Sequence, residues 1–135
     1  MNFDPVGTNK RGEHYMKFRT PFSVVEKIQL LQRWILVQSF AYYELNSNVA
    51  SDFKYDANAR QLERLVMDNP EDAKRSRYYD YFYDFFDEIE GTHMTSGFDL
   101  LERVKKKDDR LYRYIWMDAA RALELKAKYG SNGMI

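Results

Sequence analysis

The chain has 135 residues with 21 basic and 21 acidic side chains, a formal net charge of zero. It therefore lacks the basic excess of a general nucleic-acid binder. It is 44% hydrophobic and 16% aromatic and has no cysteine. That excludes global disorder, a disulfide scaffold, a thiol nucleophile and a cysteine-ligated zinc or iron–sulfur centre.

The length fits one domain. No apolar run approaches the span of a bilayer, and no signal-type apolar segment follows Met1, so the expected compartment is the cytoplasm. Residues 1–19 carry Pro5, Gly7 and Gly12 and read as an irregular N-terminal arm. Residues 20–135 read as a single all-α domain of about five helices. The first helix is expected to open after Thr20-Pro21, with Ser23 and Glu26 at capping-box spacing. Val24, Ile28, Leu31, Ile35, Tyr42 and Leu45 recur at helical intervals and predict one apolar face ending near Leu45. Asn46-Ser47-Asn48 breaks it.

Ser51 is a candidate cap for a second helix, with Asp52 in its first turn and Tyr55, Leu62, Leu65 and Val66 on its apolar side. The short linker predicts an antiparallel hairpin. Asn69-Pro70 ends this helix and starts a third, expected to run through Tyr78, Tyr79, Phe82, Phe85, Phe86 and Ile89 to Gly91. Gly91 to Gly97 reads as a polar loop. Phe98 to Val104 reads as a fourth helix, Lys105 to Asp109 as a charged connection, and Leu111, Ile115, Ala119, Ala122 and Leu123 as a fifth helix closed by Gly130.

The hairpin end carries the most chemistry. From Phe40 to Asp56 the chain reads FAYYELNSNVASDFKYD, so a tyrosine pair closes one helix and Asp-x-x-Tyr-Asp opens the next. An antiparallel hairpin brings Tyr42, Tyr43, Asp52, Tyr55 and Asp56 to one end of the bundle. Rings there can stack on a flat cationic heterocycle, and carboxylates can accept hydrogen bonds from ribose hydroxyls or an amide. The alternative role of the tyrosines is core packing, and that of Asp52 is a favourable charge at a helix N-terminus.

This pattern resembles the N-terminal helical Ia subdomain of bacterial NAD-dependent DNA ligases. That family has a Tyr-His pair, a short turn and Asp-x-x-Tyr-Asp at the same spacing. Leu62 and Leu65 fall on its repeated leucines, and Asn69-Pro70-Glu71 on its His-Pro-Glu. The resemblance covers residues 24–71 and is similar to that of small ligase-related proteins of bacteriophages. It implies that the hairpin holds the nicotinamide mononucleotide half of NAD through Tyr42, Asp52, Tyr55 and Asp56. Tyr43 stands where the family has His, and the imidazole contact on the phosphate side is lost with it. Asn58 replaces a usual leucine. There is no Lys-x-Asp-Gly and hence no adenylation lysine, which excludes ligation by this chain alone.

Other features carry less. Asp80, Asp84 and Asp87 share a helical spacing that suits a cation or a basic partner, but read better as a solvated face. From Tyr78 to Phe86 every residue but Asp80 and Asp84 is aromatic, too many for one helix face, so a homo-oligomer or protein partner is an expectation for this third helix. Glu90 and His93 have a metal-type spacing without a second copy. The Gly91–Gly97 loop matches no phosphate-loop motif, His14 has no identifiable partner, and Lys105-Lys106-Lys107 is followed at once by two aspartates.

The expectation is a non-enzymatic binder of nicotinamide mononucleotide, NAD or an ADP-ribose-type nucleotide, with no required cofactor and no metal. If phage-encoded, it would act in the host cytoplasm by sequestering an NAD-derived defence signal. The alternatives are an interaction protein that keeps the hairpin for its shape and, less favoured, a hydrolase of nicotinamide nucleotides using Asp52 or Asp56.

Overall fold

The computed structural model describes residues 22–85 and 96–130, together with the backbone of Gly7–Thr8 and His14–Tyr15. Among these residues the chain forms six helices: α1 (Val24–Tyr43), α2 (Asp52–Asp68), α3 (Pro70–Lys74), α4 (Tyr79–Phe82), α5 (Gly97–Lys107) and α6 (Asp109–Tyr129). Within the expected arm, Gly7–Thr8 (β1) pairs antiparallel with His14–Tyr15 (β2). Among the described residues the chain is all-helical apart from that ribbon of two two-residue strands. Among the described residues no helix is long and apolar enough to cross a membrane.

The capping box that opens α1 forms: Glu26 N donates to Ser23 Oγ at 3.2 Å, and Ser23 N to Glu26 Oε1 at 3.1 Å. The single apolar face expected for this helix is a correction. From Trp34 to Ala41 every residue of α1 is buried, because α2, α5 and α6 all pack on it. A helix enclosed on all sides has no solvent face to keep polar. Arg33, just before that stretch, reaches outward to Asp118 Oδ2 at 2.8 Å and the Tyr78 hydroxyl at 3.1 Å, tying α1 to α6 and to the approach to α4.

The chain leaves α1 through Asn46, whose φ of 51° lies in the left-handed region that asparagine tolerates. Ser51 caps α2 by accepting from Lys54 N at 3.1 Å. The Tyr55 ring lies 6.0 Å from that of Trp34, while Leu62 and Val66 face Gln32 across a groove. Later residues of α2 thus meet earlier residues of α1, and the two helices are antiparallel.

The third helix departs most from expectation. Proline opens α3 as predicted, but the helix ends at Lys74 and the aromatic run restarts as the single turn α4. Three hydrogen bonds explain the break. Ser76 Oγ donates to Ala73 O at 2.6 Å and accepts from Gln32 Nε2 at 3.1 Å, and Arg77 N donates to Gln29 Oε1 at 3.0 Å. Side chains of α1 thus take the partners that a continuous helix would have used. The break also turns the aromatics inward: Tyr78, Tyr81, Phe82 and Phe85 are buried, and Tyr83 is exposed. Phe86, Asp87, Ile89, Glu90, Gly91 and His93 lie outside the described residues.

Asp80 is exposed and Asp84 partly so, as a solvated face requires, and each also pairs with a basic side chain of α5. Asp84 pairs with both guanidinium nitrogens of Arg103 at 2.7 and 3.0 Å, and Asp80 with Lys107 at 2.8 Å, fastening α4 to α5. The charged connection expected over Lys105–Asp109 narrows to Asp108 alone, with helix on both sides of it. The three lysines complete the last turn of α5, where the helix dipole favours cations, and Asp108 caps α6 by accepting from Leu111 N at 3.0 Å.

Candidate functional site

Four elements meet around a cavity of about 190 Å³ at the hairpin end. The last turns of α1 contribute Gln38, Ser39, Tyr42 and Tyr43. The linker adds Asn48, Val49 and Ala50, the first turn of α2 adds Asp52 and Tyr55, and Gly97 at the start of α5 closes one side. Four of the residues expected from the sequence, Tyr42, Tyr43, Asp52 and Tyr55, therefore share one wall. Asp56 does not line it; it is exposed on the next turn position of α2.

The tyrosines differ in setting. Tyr42 and Tyr43 are half-exposed, at 56% and 45%, and meet edge to face with centroids 4.8 Å apart. Tyr43 also meets the Phe98 ring at 5.8 Å, so it is held from both sides. Among the described residues Tyr42 meets no second ring. Tyr55 is partly buried against Trp34. Burial pushes its hydroxyl pKa up, Tyr43 and Asp56 reinforce this, and the facing Ser39 hydroxyl opposes it. The phenol is consequently protonated across the neutral range and can donate or accept a hydrogen bond.

Gly97 sets the depth of the cavity. It starts α5 directly against α1: a Cβ placed on it would stand 2.9 Å from Ser39 Cβ and 3.3 Å from a Tyr43 ring carbon. Ser96 caps this helix, accepting from Asp99 N at 3.2 Å. On the linker side Lys126 of α6 donates its ammonium to the Asn48 carbonyl, which pins the loop.

Gln38, Ser39 and Gly97 were not singled out from the sequence. A signal for the first two exists. They are the polar pair inside the apolar run ILVQSFA, and each sits one helical turn before a site tyrosine, Gln38 before Tyr42 and Ser39 before Tyr43. Gly97 had none, because its role depends on which helix it meets.

Among the described residues no group of three His, Asp or Glu side chains is arranged to hold a metal ion. Asp52 is the one carboxylate among the described residues of the cavity wall. Comparison of the chain with protein-family models, with curated proteins and with solved structures finds no match.

Proposed function

We propose that this cavity binds the nicotinamide end of nicotinamide mononucleotide, NAD or an NAD-derived nucleotide, without catalysis. The observation that carries the reading is the convergence of Tyr42, Tyr43, Asp52 and Tyr55 on one cavity; Tyr42, Asp52 and Tyr55 belong to the set that the resemblance to ligase subdomain Ia implies. The half-exposed Tyr42 ring offers a stacking surface, and Asp52 offers an acceptor for an amide or hydroxyl. Asp56, one turn position away, suits the ribose outside the cavity. A single described wall carboxylate beside the protonated Tyr55 favours binding over hydrolysis, which calls for a positioned acid–base pair. In a phage-infected cell the same pocket would sequester an NAD-derived signal in the host cytoplasm.

A thermal-shift panel of nicotinamide mononucleotide, NAD, ADP-ribose, cyclic ADP-ribose and AMP tests this. A ligand at 100 times its Kd should stabilise the fold by about 2.7 kcal/mol. The double variant Tyr42→Ala with Asp52→Asn changes only exposed side chains and should abolish the shift while leaving helicity intact. No shift with any nicotinamide compound would end this reading.

A second reading, a protein-interaction module, is favoured by a different surface from the third helix. Tyr114, Trp116 and Met117 of α6 are all more than half exposed, a concentration of large apolar groups that association would cover.

A further inference from the structure

Helix α6 carries two patterns on opposite sides. Ile115, Ala119 and Ala122 are buried on its inner side, where it packs on α1 and α5. On its outer side Arg110, Arg113, Met117, Ala120, Glu124 and Ala127 follow at alternating intervals of three and four residues, and all six are exposed. That alternation is the heptad spacing of a coiled-coil seam. It runs straight along roughly 25 Å of helix. Exposed Tyr114 and Arg121 flank the seam on one edge, and exposed Trp116 and half-buried Leu123 on the other.

We propose that this seam pairs with the same seam of a second copy, the two α6 helices running antiparallel about a two-fold axis between Met117 and Ala120. This rests on the interaction reading of α6 above, independently of nucleotide binding, and gives that reading its partner and its register.

Charge decides the orientation. In a parallel pair each seam residue meets its own counterpart, so Arg113 would face Arg113 and Glu124 would face Glu124. In the antiparallel pair the seam residues meet in mixed layers: Met117 against Ala120, Arg113 against Glu124, and Arg110 against Ala127. Each layer occurs twice by symmetry, so the pair gains two ion pairs around two apolar layers. The small Ala120 leaves room for the longer Met117. Sliding the antiparallel pair by one heptad separates Arg113 from Glu124. The edges fit the same register, with Tyr114 beside Arg121 of the second copy, a ring and a cation, and Trp116 beside its Leu123. Within one chain Arg113 pairs with Asp109 at 3.0 Å and Glu124 with Arg121 at 3.4 Å, all on largely exposed side chains. Exposed pairs of this kind are worth little, so exchanging them for pairs between copies costs little. One short helix from each copy makes a small contact, which fits a weak, reversible pair rather than an obligate dimer.

Sedimentation of the full chain at several concentrations tests the pairing by charge reversal. Arg113→Glu sets glutamate against Glu124 at both symmetry-related contacts, and Glu124→Arg sets arginine against Arg113. Each variant alone should associate about tenfold or more weakly than the wild-type chain. Mixed in equal amounts, the two variants should pair with each other as tightly as wild type, because every contact between them joins opposite charges. Circular dichroism checks that these changes at exposed positions leave helicity intact. Should a reversal disturb folding, Arg113→Gln and Glu124→Gln give a smaller loss of the same sign. Combined in one chain, the two glutamines should lose no more than either alone, since each removes the same contacts. A mixture no tighter than the separate variants, or association indifferent to both changes, would overturn this register and leave the interaction reading standing. Tighter association of Arg113→Glu with wild type than of wild type with itself would overturn it in favour of a parallel pair. A chain that is monomeric at every concentration would overturn the pairing and the interaction reading together.

Discussion

Gly97 is where α5 and α1 come closest to the cavity. The approach needs space, since a methyl group there would meet Ser39 and Tyr43, while the backbone of Gly97 is an ordinary right-handed helix. Gly97→Ala should therefore force α5 away from α1 and cost about 1–3 kcal/mol, read as a lowered urea midpoint. A midpoint unchanged or raised would mean that α5 yields freely. Tyr55 supports a second expectation. Its folded pKa is raised above the ordinary 10.0, first of all by burial, as are those of Tyr81 and Tyr112. Above pH 10 the unfolded chain releases these protons before the folded one, so the stability present below pH 10 declines as the pH rises through the folded values. Unfolding midpoints measured from pH 8 to about pH 11 should show this fall. Tyr55→Phe should make it shallower, with Tyr81, Tyr112 and Lys107, whose pKa is raised first by its hydrogen bond to Asp80, contributing to what remains.

Between elements, the least regular region depends on one arginine. Arg103 of α5 clasps Asp84 with both nitrogens and also donates to Tyr81 O at 2.9 Å, holding the single-turn α4 in place. The pair is partly exposed, so its net contribution is about 1 kcal/mol, at the upper end for such pairs because it is bidentate. Arg103→Ala should speed amide hydrogen exchange from Tyr81 to Phe85 while leaving the middle of α1 protected. Arg103→Lys should restore little, since an ammonium cannot match the fork. This region also marks the limit of what local sequence carries. Ser23 with Glu26, Ser51, Pro70 and Gly130 announce helix ends through their own side chains or backbone, and the structure uses each of them at a terminus. The break between α3 and α4 comes from Gln29 and Gln32, more than forty residues away, and no window around Ser76 contains them. The same holds for the site. Tyr42, Tyr43, Asp52 and Tyr55 could be read because a short hairpin places neighbouring helix ends together, whereas Gly97 reaches the cavity only through the long-range packing of α5 on α1.

For the molecule as a whole, α1 is enclosed and α6 is the helix that packs on it while presenting a broad outer side. On that outer side Tyr114, Trp116 and Met117 remain exposed, and the zero net charge provides little long-range repulsion between copies. These features together favour self-association through α6. Sedimentation at several concentrations should show a mass that rises with concentration, and Trp116→Glu should return the chain to a monomer. None of these three residues lines the hairpin-end cavity, so the variant should keep the wild-type response to nicotinamide compounds. A wild-type chain that stays monomeric throughout would show that α6 is ordinary exposed surface. A Trp116→Glu variant that becomes monomeric and also loses its ligand would show instead that the two surfaces are coupled through α6, whose Lys126 holds the Asn48 loop against the cavity.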